Sequence, residues 1–192
     1  MQNSLHRLQF VQSIEQAKGF ASSKTAAELA EEFSFLARYL GDIRFGAAVQ
    51  DFLLEAASSK AKSFPDFMVG RFKAWSEIGE LARLERSFQQ AEGVRDEIGD
   101  KLRLHASAEL LVFTQNTTSI WSCLVCGEAP PRPYKLDQPQ RVVVWQQDQM
   151  PRFRILGDDE AKDLAAFQKR PSQKSPYFLG WLETGLAVAL AK

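Results

Sequence analysis

The chain has 192 residues, with 24 Lys and Arg balanced by 24 Asp and Glu, 45% hydrophobic residues, 14 Phe and 4 Trp. A chain of this size buries about 70% of the surface its unfolded state exposes, so it can hold an ordinary core without staples, and the composition excludes a disordered polypeptide. The charge balance provides no global field to draw the chain onto nucleic acid or anionic lipid, so neither nucleic acid nor a membrane is expected as a partner.

The first residues, MQNSLHRLQFVQSIEQ, mix polar and apolar side chains and do not read as a secretory signal. Leu5, Leu8, Val11 and Ile14 recur at helical spacing until Gly19 interrupts. Thr25-Ala-Ala-Glu28 has the capping-box pattern, so a helix is expected to begin there. Leu29, Phe33, Leu36 and Leu40 then form one apolar stripe, with Gly41 as its stop. Asp42 is expected to cap a further helix carrying Phe45, Val49, Phe52, Leu53 and Ala56, followed by a polar loop over Ser58 to Lys62.

After Ser63-Phe64-Pro65 the pattern resumes with Phe67, Phe72, Trp75, Ile78, Ala82, Glu85 and Phe88. This predicts one long helix, with Gly79 as a tolerated weak point and Gly93 as its end. A short helix or turn through Val94, Ile98 and Leu102 leads onward. The basic pairs Lys60/Lys62 and Arg71/Lys73 read as solvated outer faces of helices.

The segment from Glu109 to Trp145 changes the period. In ELLVFTQ, Leu111, Phe113 and Gln115 project to one side and Leu110, Val112 and Thr114 to the other, which predicts a strand. Asn116-Thr117-Thr118 supplies a polar break, and the following residues through Val125 read as the second strand of a hairpin. GEAPPRPYKLDQPQ, with four prolines in fourteen residues, predicts an extended surface connection. RVVVW is expected as a central strand with Trp145 in the core, and Phe153 and Ile155 alternate with Arg152 and Arg154 as in a half-buried strand. Asp158 or Asp159 caps a helix through Leu164 and Phe167, and Ser175-Pro176 opens a terminal helix that is expected to bury the tail FLGWLETGLAVALAK. The tail is well short of the roughly 20 apolar residues of a membrane helix.

These readings give an α+β fold in a single domain, residues 1–192. Residues 1–103 are mainly helical, and residues 104–192 hold a small, mostly antiparallel sheet with carboxy-terminal helices.

Chemistry-bearing residues are sparse. Cys123 and Cys126 have the spacing of a metal or redox pair, but on a continuous strand residues three apart point to opposite faces, and His6 and His105 fall outside zinc-finger spacing. The pair is therefore expected as buried or half-buried free thiols, with no metal bound. His105, beside Leu104 and Ala106, is expected to make a structural hydrogen bond, and Asp158-Asp159-Glu160 to serve a helix amino terminus. Trp121 and Trp145 are expected in the core. No glycine-rich phosphate loop, nucleophile elbow or HExxH helix is present, so no catalytic residue and no cofactor are assigned. Two cysteines and no signal sequence point to a cytoplasmic protein.

AELLVFTQNTTSIWSCLV, a Pro-containing connection and RVVVW resemble the central region of the SUKH superfamily, whose bacterial members are largely immunity proteins of toxin systems. Asn116, Trp121, Pro139 and Val142 to Trp145 take the places of the turn, the aromatic strand, the Pro-associated segment and the next strand. The resemblance implies a non-enzymatic fold that neutralises a toxin by direct binding. Contacts are expected near the hairpin and the following loop, at Asn116, Tyr134 and Arg152. A second reading is an adaptor or chaperone for a secreted effector, and a third is a metal-dependent hydrolase or nuclease.

Overall fold

A computed structural model describes residues 25–58, 63–92, 94 and 102–188. The helix expected at Leu5 to Ile14, the loop residues 59–62, the stop at Gly93 and the turn through Ile98 lie outside them. The described residues form eight helices and five strands, an α+β fold with helices on both sides of the sheet in chain order. They group into two compact units. One holds the described residues up to Arg83 together with Thr118–Arg132, and the other holds Leu84–Thr117 and the described residues from Pro133 on.

In the first unit, helix α1 (Ala26–Glu32) starts as expected. The Thr25 hydroxyl accepts from the Glu28 backbone N–H at 3.3 Å, and the Glu28 carboxylate accepts from the Thr25 N–H. The single stripe that follows is broken. Phe33 leaves helical geometry at φ −111°, ψ 49°, and helix α2 (Ser34–Leu40) begins after it. Leu29, Phe33, Leu36 and Leu40 are nevertheless all buried, because the spacing that defines the stripe survives the break. Gly41 ends α2 at φ +76°, a left-handed angle that glycine adopts without steric cost. Helix α3 (Asp42–Ser58) buries Phe45 and Val49.

The long helix expected through Phe67 to Phe88 is two helices. Helix α4 (Phe64–Arg71) is capped by Ser63, whose hydroxyl accepts from the Asp66 N–H, and Pro65 fits in its first turn, where no intrahelical donor is needed. Phe72 then turns out of the helix at φ −105°, ψ 43°, and helix α5 (Ser76–Glu92) begins four residues later. Gly79 is a close-packing point and not merely a weak one. A Cβ built there would sit 2.6 Å from Val69 Cγ2 and 3.0 Å from Val69 Cα.

The expected hairpin is corrected. Thr117–Cys126 is helix α6, not a turn and a strand. Ile120, Trp121 and Leu124 are buried while Ser119, Ser122 and Val125 are exposed, a helical spacing that outweighs the strand preference of Ile, Trp and Val.

In the second unit, strand β1 (Arg103–Leu104) pairs antiparallel with β5 (Ala187–Val188). A three-stranded antiparallel sheet runs β2 (Glu109–Gln115), β3 (Lys135–Gln147), β4 (Met150–Leu156), with β3 in the centre. RVVVW is thus a central strand and Trp145 is 3% exposed. The last six residues of the proline-rich connection, Lys135 to Gln140, join that strand. Between the pairs Phe113↔Gln140 and Gln115↔Lys135 the register shifts, and Pro139, which has no N–H for a ladder, lies in this irregular stretch.

Val143, Trp145 and Leu156 pack on helix α7 (Asp158–Lys169) and helix α8 (Phe178–Glu183) through Leu164, Phe167, Phe178 and Trp181. On the other face of the sheet, Phe88 of α5 meets Phe153. Gly157, not an aspartate, is the N-cap of α7, with Asp158, Asp159 and Glu160 in its first turn. The tail is not one buried helix. It turns at Thr184 to Gly185 and returns as β5.

Candidate protein-binding surface

An exposed ladder of arginine and aromatic side chains is built in the first unit by the α4–α5 connection against α3. On a helix with 100° per residue, Ile43, Arg44, Asp51 and Leu54 share one face. Ile43 is 89% and Leu54 63% exposed, so this face is not used by the core. The guanidinium of Arg44 lies over the Trp75 ring, 5.5 Å from its centroid. Trp75 stacks on Phe72 at 6.1 Å and 14° between ring planes. Arg71 lies over Phe72 at 5.7 Å, and its guanidinium pairs with Asp51. The rungs therefore run Arg44, Trp75, Phe72, Arg71, Asp51, starting and ending on α3 two helical turns apart.

Trp75 remains 47% exposed within this ladder. Held between Arg44 and Phe72, its ring loses little freedom when a further surface covers it, and Trp and Arg are the side chains most enriched among residues that dominate interface energies. Arg44 keeps N–H donors at the rim, suited to a partner carboxylate. Sequence periodicity missed this surface, because Phe72 and Trp75 fit the apolar stripe of an unbroken helix and Arg71 read as a solvated charge. The break at Phe72 rotates Trp75 outward.

The three residues expected to touch a partner are not brought together. Asn116 is 2% exposed. Its side-chain Oδ1 accepts from the Tyr134 N–H at 2.9 Å and its backbone N–H donates to the Tyr134 carbonyl at 3.1 Å, so it fixes the chain ahead of β3. Tyr134 is 57% exposed and Arg152 is also exposed. Arg152 pairs with Trp145, ten residues along β3 from Lys135, so Arg152 and Tyr134 lie toward opposite ends of that strand.

The other chemistry-bearing residues are engaged in structure. His105 is buried, with Nδ1 2.7 Å from the Ser107 hydroxyl, which also accepts from the Gln146 N–H at 2.8 Å. Asp158 pairs with Arg141, Asp159 with Lys162 and Glu160 with Arg154, and the Glu160 carboxylate also accepts from Trp181 Nε1 at 2.9 Å. Cys123 is half-buried and Cys126 exposed, so the expectation of burial fails for the second thiol. Both lie on α6, where residues three apart share a face, and the expected opposition of the two sulfurs is overturned with the strand that implied it. Among the described residues no group of three or more His, Cys, Asp or Glu could hold a metal ion, and no helix is long and apolar enough to cross a membrane. No protein-family model and no curated protein matches the chain.

Proposed function

We propose that the protein acts by binding another protein, without chemistry of its own, and that the Arg44–Trp75–Phe72–Arg71 ladder is the anchor. The single observation behind this reading is a half-exposed Trp held between a guanidinium and a second ring on a helix face that also exposes Ile43 and Leu54. The partner that fits it presents an apolar pocket for Trp75 with a carboxylate beside it for Arg44.

The narrower reading, neutralisation of a bacterial toxin in the cytoplasm, rests on the SUKH-like pattern of β2 and RVVVW. Helix α6 stands where that pattern has its aromatic strand. The balanced charge supports a protein over a nucleic acid as partner.

Co-expression with the products of neighbouring genes, followed by pull-down and growth assays, tests both levels. A stoichiometric complex is expected, and Trp75→Ala is expected to weaken it about thirtyfold, the loss of about 2 kcal/mol typical of an interface anchor. Protection from a neighbouring toxin supports immunity. Binding without protection supports only the broader reading. A complex weakened by Tyr134→Ala or Arg152→Ala and untouched by Trp75→Ala would move the interface to the sheet.

A further inference from the structure

We propose that Cys123 and Cys126 form a dithiol that undergoes reversible exchange with small-molecule disulfides, and that closing their disulfide opposes the clamp that Arg38 places on the end of α6. The proposal is independent of the protein-binding reading.

The geometry begins with the end of the helix. Gly127 is left-handed at φ +78°. Its N–H donates to the Leu124 carbonyl at 3.2 Å, and the Glu128 N–H donates to the Cys123 carbonyl at 2.8 Å. Together these are the two bonds of a Schellman motif, with Cys126 as the C-cap and Cys123 three residues before it. The two thiols therefore bracket the last turn. From α2, the Arg38 guanidinium donates to the Leu124 carbonyl at 3.1 Å and to the Gly127 carbonyl at 3.0 Å. One side chain thus holds a carbonyl between the two cysteines and another just beyond them.

On a regular helix, Cβ atoms three residues apart lie about 5–6 Å from each other, whereas a disulfide needs about 3.5–4.5 Å. On such a helix Cα atoms three residues apart lie about 5 Å from each other, within the range of a bridge, so closure requires the last turn to tighten without moving a whole element. The peptide groups that must turn lie between Cys123 and Cys126, and they include the Leu124 carbonyl that Arg38 holds. The clamp and the disulfide therefore compete, and each must weaken the other by the same factor. A bridge formed against such a restraint is readily reduced, the character of a regulatory disulfide rather than a structural one.

Exposure sets the order of events. The Cys126 thiolate, at the surface, attacks one sulfur of a small disulfide such as oxidised glutathione, giving a mixed disulfide and one released glutathione thiolate. The half-buried Cys123 thiolate then attacks the Cys126 sulfur and expels the second glutathione. In total the protein gives up two electrons and two protons, one S–S bond forms in the chain, and the small disulfide is reduced to two thiols.

The test is equilibration of the full chain in glutathione redox buffers, with thiol trapping and intact mass as readout. The wild type is expected to lose two hydrogens and retain no glutathione, and Cys123→Ser to trap one glutathione on Cys126. Arg38→Ala is expected to shift the exchange constant toward the disulfide roughly tenfold, the worth of one hydrogen bond to a charged group. Arg38→Lys, which keeps the charge but cannot span both carbonyls, should shift it in the same direction. Hydrogen exchange on the oxidised wild type gives a reading that needs no Arg38 variant: the Gly127 and Glu128 amides should lose protection. The proposal is overturned if the wild type carries glutathione on both cysteines without closing, or shows no exchange. It is equally overturned if the disulfide leaves those amides protected, or if a folded Arg38 variant has an unchanged exchange constant.

Discussion

The two units hold their cores in different ways. In the helical unit, Phe64 is the hub of a ring cluster, with centroids 4.8 Å from Phe33, 6.0 Å from Phe45, 5.1 Å from Phe52 and 6.4 Å from Phe67. In the sheet unit, the large rings also answer to hydrogen bonds. Trp145 Nε1 donates to the Thr184 carbonyl at 2.8 Å, and Trp181 Nε1 donates to Glu160, which Arg154 also engages. The first core depends on volume and ring packing, while the second depends as well on acceptors for its two buried indole N–H groups.

Removing the hub should have the largest effect. Phe64→Ala empties a site lined by four other rings and is expected to cost about 3–5 kcal/mol in urea unfolding. Trp181→Phe keeps most of the volume and deletes one donor from a carboxylate that retains Arg154, so about 1–2 kcal/mol is expected. If the two variants cost the same, the contrast between the cores fails.

Gly79→Ala tests how tightly the helical unit is fitted. Alanine should help a helix interior by up to ~1 kcal/mol, but here its methyl meets both the stiff side chain and the backbone of Val69. The clash should win, leaving a net loss of about 1–2 kcal/mol by thermal or urea unfolding. A stabilised variant would show that α4 and α5 yield easily, and that close approach is not what fixes Gly79.

These differences explain what the sequence made legible. The capping box at Thr25 was readable because all its partners lie within four residues. The buried stripe from Leu29 to Leu40 was readable, yet the break at Phe33 was not, since periodicity reports which side chains face inward and is blind to an interruption that keeps them there. The same blindness hid the break at Phe72 and with it the exposure of Trp75. Helix α6 was misread because β-branched and aromatic residues weigh toward a strand when tertiary burial is unknown. In the sheet unit RVVVW was legible from its continuous apolar run, but Pro139 inside β3 was not, because the register shift that tolerates it depends on pairing with β2. The setting of Asn116 was not legible either, because its burial and its hydrogen bond to the Tyr134 backbone depend on a partner eighteen residues away.

The last contrast is electrostatic, and its effects are the smallest at neutral pH. The helical unit buries Glu77 and Glu80 one turn apart on α5. Burial raises the Glu77 carboxyl above its ordinary 4.5, opposed by a backbone hydrogen bond and assisted by the neighbouring Glu80 charge. Burial, with Glu77 as the second cause, also pushes the Tyr39 phenol up to about 12 from 10.0. Both groups hold their protons more tightly in the folded chain than in the unfolded one, so each contribution to stability is full below the unfolded pKa and declines as pH rises through the folded one. For Glu77 the decline begins as pH climbs past 4.5, and for Tyr39 it lies between about 10 and 12. Glu77→Gln should therefore raise stability at neutral pH relative to the wild type, and should bring the Tyr39 titration, followed by phenolate absorbance, back toward its ordinary value. Tyr39→Phe should flatten the fall in unfolding free energy between pH 10 and 12 while leaving the curve below pH 9 parallel to the wild type. Parallel curves throughout that alkaline window would mean that Tyr39 ionises as freely in the folded chain as in the unfolded one, and that the helical unit solvates the acids it encloses.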